Sequence, residues 1–425
     1  MSYKIFEISN GVDGVFIENT RFNTTVLSLN FYLPLSVDSI TENALLPYLL
    51  ASCSKEYPDF TELNLKLSLL YGADISVSAE KMRDVQHIRI AVSAINDEFV
   101  LEKGVSVLGD AMQLLLSLVF EPKIQKEALS QSDVEREKRK LLEHIAGEFN
   151  DKRVFAKNRL TEIMFENDAY GMSGYGTLEQ AEKITAEALF SAWQKMLRTA
   201  YIRVQVVGKT LPDGIFDLVR DKLDNFERKN ITDYTLSRPV SPAEDVKRVT
   251  DYYDVSQGKL VMGFSSETCG ENAYSFTVMT DIFGGGPYSH LFTNVREKMS
   301  LCYYCSASAV RSKGFMLVQS GVEADNAEKA EKEILNQLAL VQKGEFTDFA
   351  FEASKKAIIG SLKSYNDSIY ALDKWYSAVI MNDGLKTPED VIEKISSITR
   401  EDVINAACGV KLHTVYKLMP KGEEK

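Results

Sequence analysis

Ile184-Thr185-Ala186-Glu187-Ala188-Leu189 is echoed by Ile398-Thr399-Arg400-Glu401-Asp402-Val403. In both, a Thr stands where a helix N-cap is needed and acidic residues fill the first turn, where the helix dipole favours them. Each helix then leads into a β-rich run, Ile202–Val207 in the first copy and Thr414–Leu418 in the second. A second echo lies upstream. Leu70-Tyr71-Gly72-Ala73-Asp74-Ile75-Ser76-Val77 precedes a charged turn and the strand His87–Ala94. Leu301-Cys302-Tyr303-Tyr304-Cys305-Ser306-Ala307 precedes Arg311-Ser312-Lys313-Gly314 and the strand Phe315–Val322. Two echoes in the same order and at similar separation imply duplication of a unit of roughly 200 residues, too long for a solenoid repeat.

Around these anchors, Val26–Leu33 and Ile88–Val92 alternate like strands. Lys103–Phe120, Glu127–Phe149 and Ala327–Lys343 carry apolar residues at helical spacing. The mixture predicts an α+β fold, with helices packed on a mainly antiparallel sheet in each half. Ser237-Arg238-Pro239-Val240-Ser241-Pro242 is rich in turn formers. It sets the boundaries at 1–230, a linker at 231–246, and 247–425. Two such halves suggest a clamshell with an internal cleft.

Composition narrows the function classes. The chain has 425 residues, 49 basic against 61 acidic, and a net charge of −12. That sign argues against a nucleic-acid partner, which needs a basic face. No basic-then-apolar leader opens the sequence, and no apolar run is long enough to span a bilayer. With five scattered cysteines, these features predict a cytoplasmic protein with reduced thiols and no membrane partner. Cys302 and Cys305 form a CxxC, but positions three apart on a strand face opposite sides. No second CxxC or neighbouring His completes a metal set, so no metal or redox role is expected of it. His290 reads as a polar loop residue, and His87 as lying on an exposed strand face.

The most specific stretch is Phe283-Gly284-Gly285-Gly286-Pro287-Tyr288-Ser289-His290-Leu291-Phe292, followed by Val295-Arg296-Glu297-Lys298-Met299-Ser300-Leu301-Cys302-Tyr303. The glycine run lacks the Lys-Ser/Thr of a phosphate loop, and a tight turn against a neighbouring element is its expected use. Together with Leu70-Tyr71-Gly72-Ala73 and Tyr175-Gly176-Thr177, this signature resembles the M16 (pitrilysin/insulinase) peptidase family across nearly the whole chain. The resemblance implies two duplicated LuxS/metalloenzyme-like domains.

Active members of that family carry His-x-x-Glu-His on a helix. Residues i and i+4 share a face, so two imidazoles bind one zinc and the intervening Glu serves as general base. The register places Pro47 and Ala51 at the histidine positions and Leu50 at the base. None of them can ligate zinc or move a proton. Pro47 also removes a backbone donor, so the helix is expected to start later or kink. The family's third ligand is a Glu on a second helix, where Glu135-Arg136-Glu137-Lys138-Arg139-Lys140-Leu141-Leu142-Glu143-His144-Ile145 places His144. Glu143, one position earlier, is turned by about 100°. No metal site is expected in this chain.

Arg296 and Tyr303 occupy the positions at which the resemblance implies substrate contacts. A guanidinium donates in a fixed fork, and a phenol polarises a carbonyl. The plainer alternative is that Arg296 is a solvated helix-end charge and Tyr303 a core or edge aromatic. The resemblance implies a non-catalytic subunit that binds extended peptides. Its partner would be an active, zinc-bearing M16 paralogue, or a second copy in a homodimer. A purely structural subunit, and an independent peptidase with an unrecognised site, are the competing expectations.

Overall fold

The computed structural model describes residues 2–101, 104–270, 272–379 and 386–421. Lys103, the expected start of one helix, lies outside the described residues. The chain forms two compact units. One comprises Met1–Ala146, Gly174–Leu236 and Tyr365–Thr387. The other comprises Gly147–Ser173, Ser237–Ser364 and Pro388–Lys425. The chain changes unit at Leu236/Ser237, inside the expected linker, but a single cut there does not separate the two. Each half of the sequence also gives a segment to the other half's unit.

The first unit holds strands β1 (Tyr3–Ser9), β2 (Val12–Glu18), β3 (Thr24–Pro34), β4 (Asp74–Met82), β5 (Val85–Ile95) and β8 (Tyr201–Gly208), with a small hairpin of β6 (Ile124–Gln125) and β7 (Ala128–Leu129). Its helices are α1 (Ile40–Leu50), α2 (Phe60–Leu69), α3 (Val107–Phe120), α4 (Gln131–Glu148), α6 (Leu178–Lys183), α7 (Ala186–Thr199), α8 (Ile215–Leu223) and α12 (Ile369–Ala378). The second unit holds β9 (Lys247–Tyr253), β10 (Gly258–Ser266), β11 (Cys302–Val310), β12 (Phe315–Val322) and β13 (Val410–Pro420). It also holds helices α5 (Lys152–Met164), α9 (Tyr274–Gly284), α10 (Ala327–Gln342), α11 (Asp348–Ser364), α13 (Pro388–Ser397) and α14 (Arg400–Cys408).

The duplication is legible in the sheets. The first runs β1-β2-β8-β3-β5-β4 and the second β11-β12-β10-β13-β9. Read from the other edge, β9-β13-β10-β12-β11 repeats β2-β8-β3-β5-β4, with β1 added in the first unit. Among the described residues only β2·β8 and β13·β9 pair in parallel, and both are the same step of the repeat. The echoed Thr residues are the caps they were expected to be. Thr185 accepts from the Ala188 N–H, and Thr399 from the Asp402 N–H.

The inner strands of each sheet are buried on both faces. In the first unit Leu27, Leu29, Phe31 and Leu33 of β3 pack with α1, α3 and α7 in the main core. The other face lies under α12, where Val15, Ile17, Val26 and Val207 meet Ile369, Leu372 and Tyr376. In the second unit α5 does the same, with Ala156, Leu160 and Met164 against Val261, Leu317 and Leu418.

The face under α12 is also polar, and this corrects one expectation. His87 is buried, not exposed. Its Nε2 lies 3.0 Å from Asn30 Oδ1, and its ring stacks on Tyr32 at 4.8 Å. Beside it, fully buried Asp373 of α12 accepts from Arg89 Nε at 2.6 Å, Ser28 Oγ at 2.7 Å and Gln205 Nε2 at 2.8 Å. Arg203 Nη1 donates to the Tyr376 and Val379 carbonyls. Polar alternation on β5 therefore marks a hydrogen-bonded helix seat rather than a wet surface. Among the described residues, no helix is long and apolar enough to cross a membrane.

Removing Asp373 leaves Arg89 charged and unpaired in the interior. Asp373→Ala is expected to cost about 3–5 kcal/mol in urea denaturation, and an unchanged midpoint would contradict this account. Burial, then the nearby Arg89, Arg203 and Arg83 charges, holds the His87 imidazole down to about 3. The unfolded chain takes up this proton as pH falls through its ordinary range, and the folded chain does not. Stability is therefore fully present above about pH 6.5 and declines toward pH 3, by roughly 1.4 kcal/mol per pH unit within that window. Comparing the pH dependence of unfolding for His87→Gln with that of the parent isolates this slope.

Candidate functional site

Two places in the molecule bear on chemistry, one in each unit. The first lies where α1 approaches α4. Helix α1 runs unbroken from Ile40 to Leu50 with Pro47 inside it, so it does not start later. Pro47 and Leu50 are buried in the core, and Ala51 caps the helix C-terminus. The α1 side chains that share a cavity with His144 are Leu45 and Tyr48. That cavity, about 200 Å³, is completed by Glu137, Lys140, Leu141 and Tyr175. The His144 ring meets Tyr175 edge-on at 4.3 Å. Exposed Glu143 does not line it.

Next to it is a larger cavity of about 690 Å³ that shares Tyr48, Glu137 and Lys140 and adds Ser52, Cys53, Asp133 and Arg136. Two of its carboxylates are engaged by cations. Asp133 is held by Arg136 at 2.6 Å and Lys123 at 3.0 Å. Glu137 is held by Arg136 at 2.9 Å and Lys140 at 3.0 Å. Arg136 Nη2 also donates to Ser52 Oγ, next to the end of α1. Burial pushes the Asp133 carboxyl up, but hydrogen bonds from Ser130, Lys123 and Arg136 outweigh it and hold the group well below its usual range. A family zinc does not fit this set. One imidazole packed on an aromatic ring, sharing its cavity with a carboxylate engaged by two cations, is not a ligand cluster. Among the described residues, no three His, Cys, Asp or Glu side chains are arranged to hold a metal ion.

The second place is built by the signature stretch. Gly284 ends α9 where an added Cβ would lie 2.6 Å from the Ala307 nitrogen. The glycine thus permits helix and strand to approach closely, as expected of it. After the turn, Leu291–Lys298 is wound as a π-helix, and Met299 N–H bonds Asn294 O. His290 is half-buried at its start, with Nδ1 2.9 Å from Gln337 Oε1. Ser300 then takes φ +51°, a left-handed turn that repeats Tyr71 (φ +59°) ahead of β4. This brings Arg296 and Tyr303 into one cleft of about 420 Å³, with Glu297, Ser300, Cys302, Glu323 and Asn326.

Arg296 lies over the Phe292 ring at 4.6 Å, and its nearest carboxylate oxygen, on Glu297, is 3.7 Å away. The guanidinium is thus held in place with donors to spare. Tyr303 is exposed and its hydroxyl donates to Glu323 Oε1 at 2.5 Å. That carboxylate raises the phenol above its usual value, so it stays a proton donor. Tyr304 turns away. It packs against Gly321, with the Arg153 guanidinium 4.6 Å over its ring.

One expectation fails here. Tyr303 is an extra residue in β11, so the register shifts between Cys302 and Tyr304. The bulge resets the alternation, and Cys302 and Cys305 both point inward. Sequence reading missed this, along with Glu323 and the Tyr48–His144–Tyr175 grouping. Only the mismatch between nine residues in β11 and eight in β12 hints at the bulge, and it needs both strand ends to be known.

The fold and both places can now be set beside known proteins. A family model described as the peptidase M16 inactive domain matches residues 183–358. The Bacillus subtilis protein YmfF, described as a probable inactive metalloprotease, is 30% identical over 419 residues, which is 97% of this chain and 96% of that one. The chain belongs to the M16 peptidase family. A conserved protein from Enterococcus faecalis superposes with a TM-score of 0.93 at 25% identity, each chain covered in full. A peptidase M16 inactive domain from Pseudomonas fluorescens gives 0.79 at 17% identity, again over both whole chains, and speaks for the M16 fold alone.

If this account is right, chain purified from zinc-supplemented medium carries far less than one zinc per molecule, and a chelator leaves its melting temperature unchanged. Near-stoichiometric zinc whose removal lowers that temperature would contradict it.

Proposed function

We propose that this chain is a non-catalytic M16 subunit that holds extended peptides for a zinc-bearing M16 partner. The observation that carries the reading is the shared cleft of Arg296 and Tyr303, in a chain whose α1 and α4 offer no zinc ligand set. Arg296 supplies a fixed fork of donors, and Tyr303 a protonated phenol. Both suit the carbonyls of a peptide better than they suit its hydrolysis, which needs an activated water.

β11 carries Tyr303 and is an edge strand of its sheet. An extended peptide finds free backbone groups there, and side-chain pockets alongside would set preference. In an assembly with a zinc-bearing chain, the metal and its base belong to the partner. This chain then contributes orientation and polarisation of the scissile carbonyl. A second copy of this chain in place of that partner would bind peptides without cleaving them.

The test is reconstitution with an intact M16 paralogue from the same cell. A complex and a gain in cleavage of unstructured peptides are expected. In that complex Arg296→Ala and Tyr303→Phe should each lower turnover by about 10²-fold while leaving assembly intact. Absence of a complex, or unchanged turnover in both variants, would refute the reading.

A further inference from the structure

The bulge in β11 does more than present Tyr303. Cys302 pairs opposite Val322, Tyr304 opposite Gly321 and Cys305 opposite Ser320. The two cysteines therefore occupy neighbouring inward positions on one face, with the exposed Tyr303 looped out between them. Their surroundings differ. Cys302, 9% exposed, lines the Arg296–Tyr303 cleft, whereas Cys305, 6% exposed, does not. Both are free thiols. The adjacent Cys305 thiol, with help from the Arg296 charge, brings the Cys302 thiol down to about 7. Cys302 in turn pushes Cys305 well up. The sulfur on the cleft side is thus the one whose thiolate is favoured, and its neighbour the one whose proton is held more tightly.

We propose that Cys302 and Cys305 form a redox-active dithiol, which small-molecule disulfides convert to an intramolecular disulfide, with Cys302 as the attacking sulfur. The Cys302 thiolate attacks one sulfur of R–S–S–R. A Cys302–S–S–R bond forms, the old S–S bond breaks, and RS⁻ leaves and takes up a proton. Cys305 then gives its proton to solvent and attacks Cys302 Sγ, displacing the second RS⁻. Two protein thiols are oxidised and one small disulfide is reduced to two thiols. Because Cys302 is part of the cleft wall, the bridge draws that wall toward the core. On the peptide-holding reading above, the cleft would then handle peptides differently in its two redox states.

The test uses the full, reduced chain without any partner, so its outcome is independent of peptide binding. The chain is incubated with glutathione disulfide near pH 8, alkylated, and digested with trypsin without reductant. Cleavage after Lys298 and Arg311 releases both cysteines in one peptide, Met299–Arg311. The expected product is that peptide two hydrogens lighter and free of alkyl groups. Cys305→Ser should stop at the first step and retain glutathione on Cys302, and Arg296→Ala should slow that step several-fold. Exposed Cys408 reports that the reagent was active. If Met299–Arg311 is recovered doubly alkylated while Cys408 is modified, the proposal is overturned. Glutathione persisting on Cys302 of the parent chain without closure overturns it as well.

Discussion

Each sheet of this protein has two faces, and each half of the sequence supplies covering helices for only one of them. The second face is covered by a helix from the other half: α12 on the first sheet and α5 on the second. An uncovered sheet face exposes apolar surface, and covering it is the main favourable term in forming a layered domain. On the first sheet the cover is fastened by charge as well. Asp373 collects Arg89, Ser28 and Gln205, and Arg203 caps the carbonyls at the end of the same helix. Any other seating of α12 would leave Asp373 and Arg89 as buried unpaired charges, which favours this one.

That arrangement explains what was legible in the sequence. The helix and strand runs, the duplication and the Thr caps are local properties, and periodicity exposes them. The exchange of segments is not local. Nothing in Lys152–Met164 distinguishes a helix packed on its own half from one packed on the other. Ser28, Asn30, His87 and Arg89 alternate with apolar neighbours, as they would on a strand with one face in water. Their partners lie more than 250 residues away in sequence for Arg89 and Ser28, beyond any local pattern. The Arg296–Tyr303 pair was legible because it sits in a signature stretch. The Cys302–Cys305 pairing was not, because a single inserted residue reverses the parity on which strand reading depends.

The α1–α4 region is joined by charge pairs and packing, with no metal-ligand cluster among the described residues. In a zinc enzyme the metal links the two helices. Here a chain of ion pairs runs along α4 from Lys123 through Asp133, Arg136 and Glu137 to Lys140, and Arg136 reaches Ser52 at the end of α1. The aromatic grouping of Tyr48, His144 and Tyr175 borders it. Charge pairing and packing thus link the two helices.

The exchanged helices also set an order of events at the ribosome. Chains emerge N-terminus first, at about 5–20 residues per second. Strands β3, β5 and β8 are all made before residue 210, yet the helix that seats on Arg89 and Arg203 arrives only with residues 369–378. For the interval between, the first sheet must hold two arginines and a histidine hydrated on an open face. Val15, Ile17, Val26 and Val207 on the same face wait for Ile369, Leu372 and Tyr376 of that helix as well.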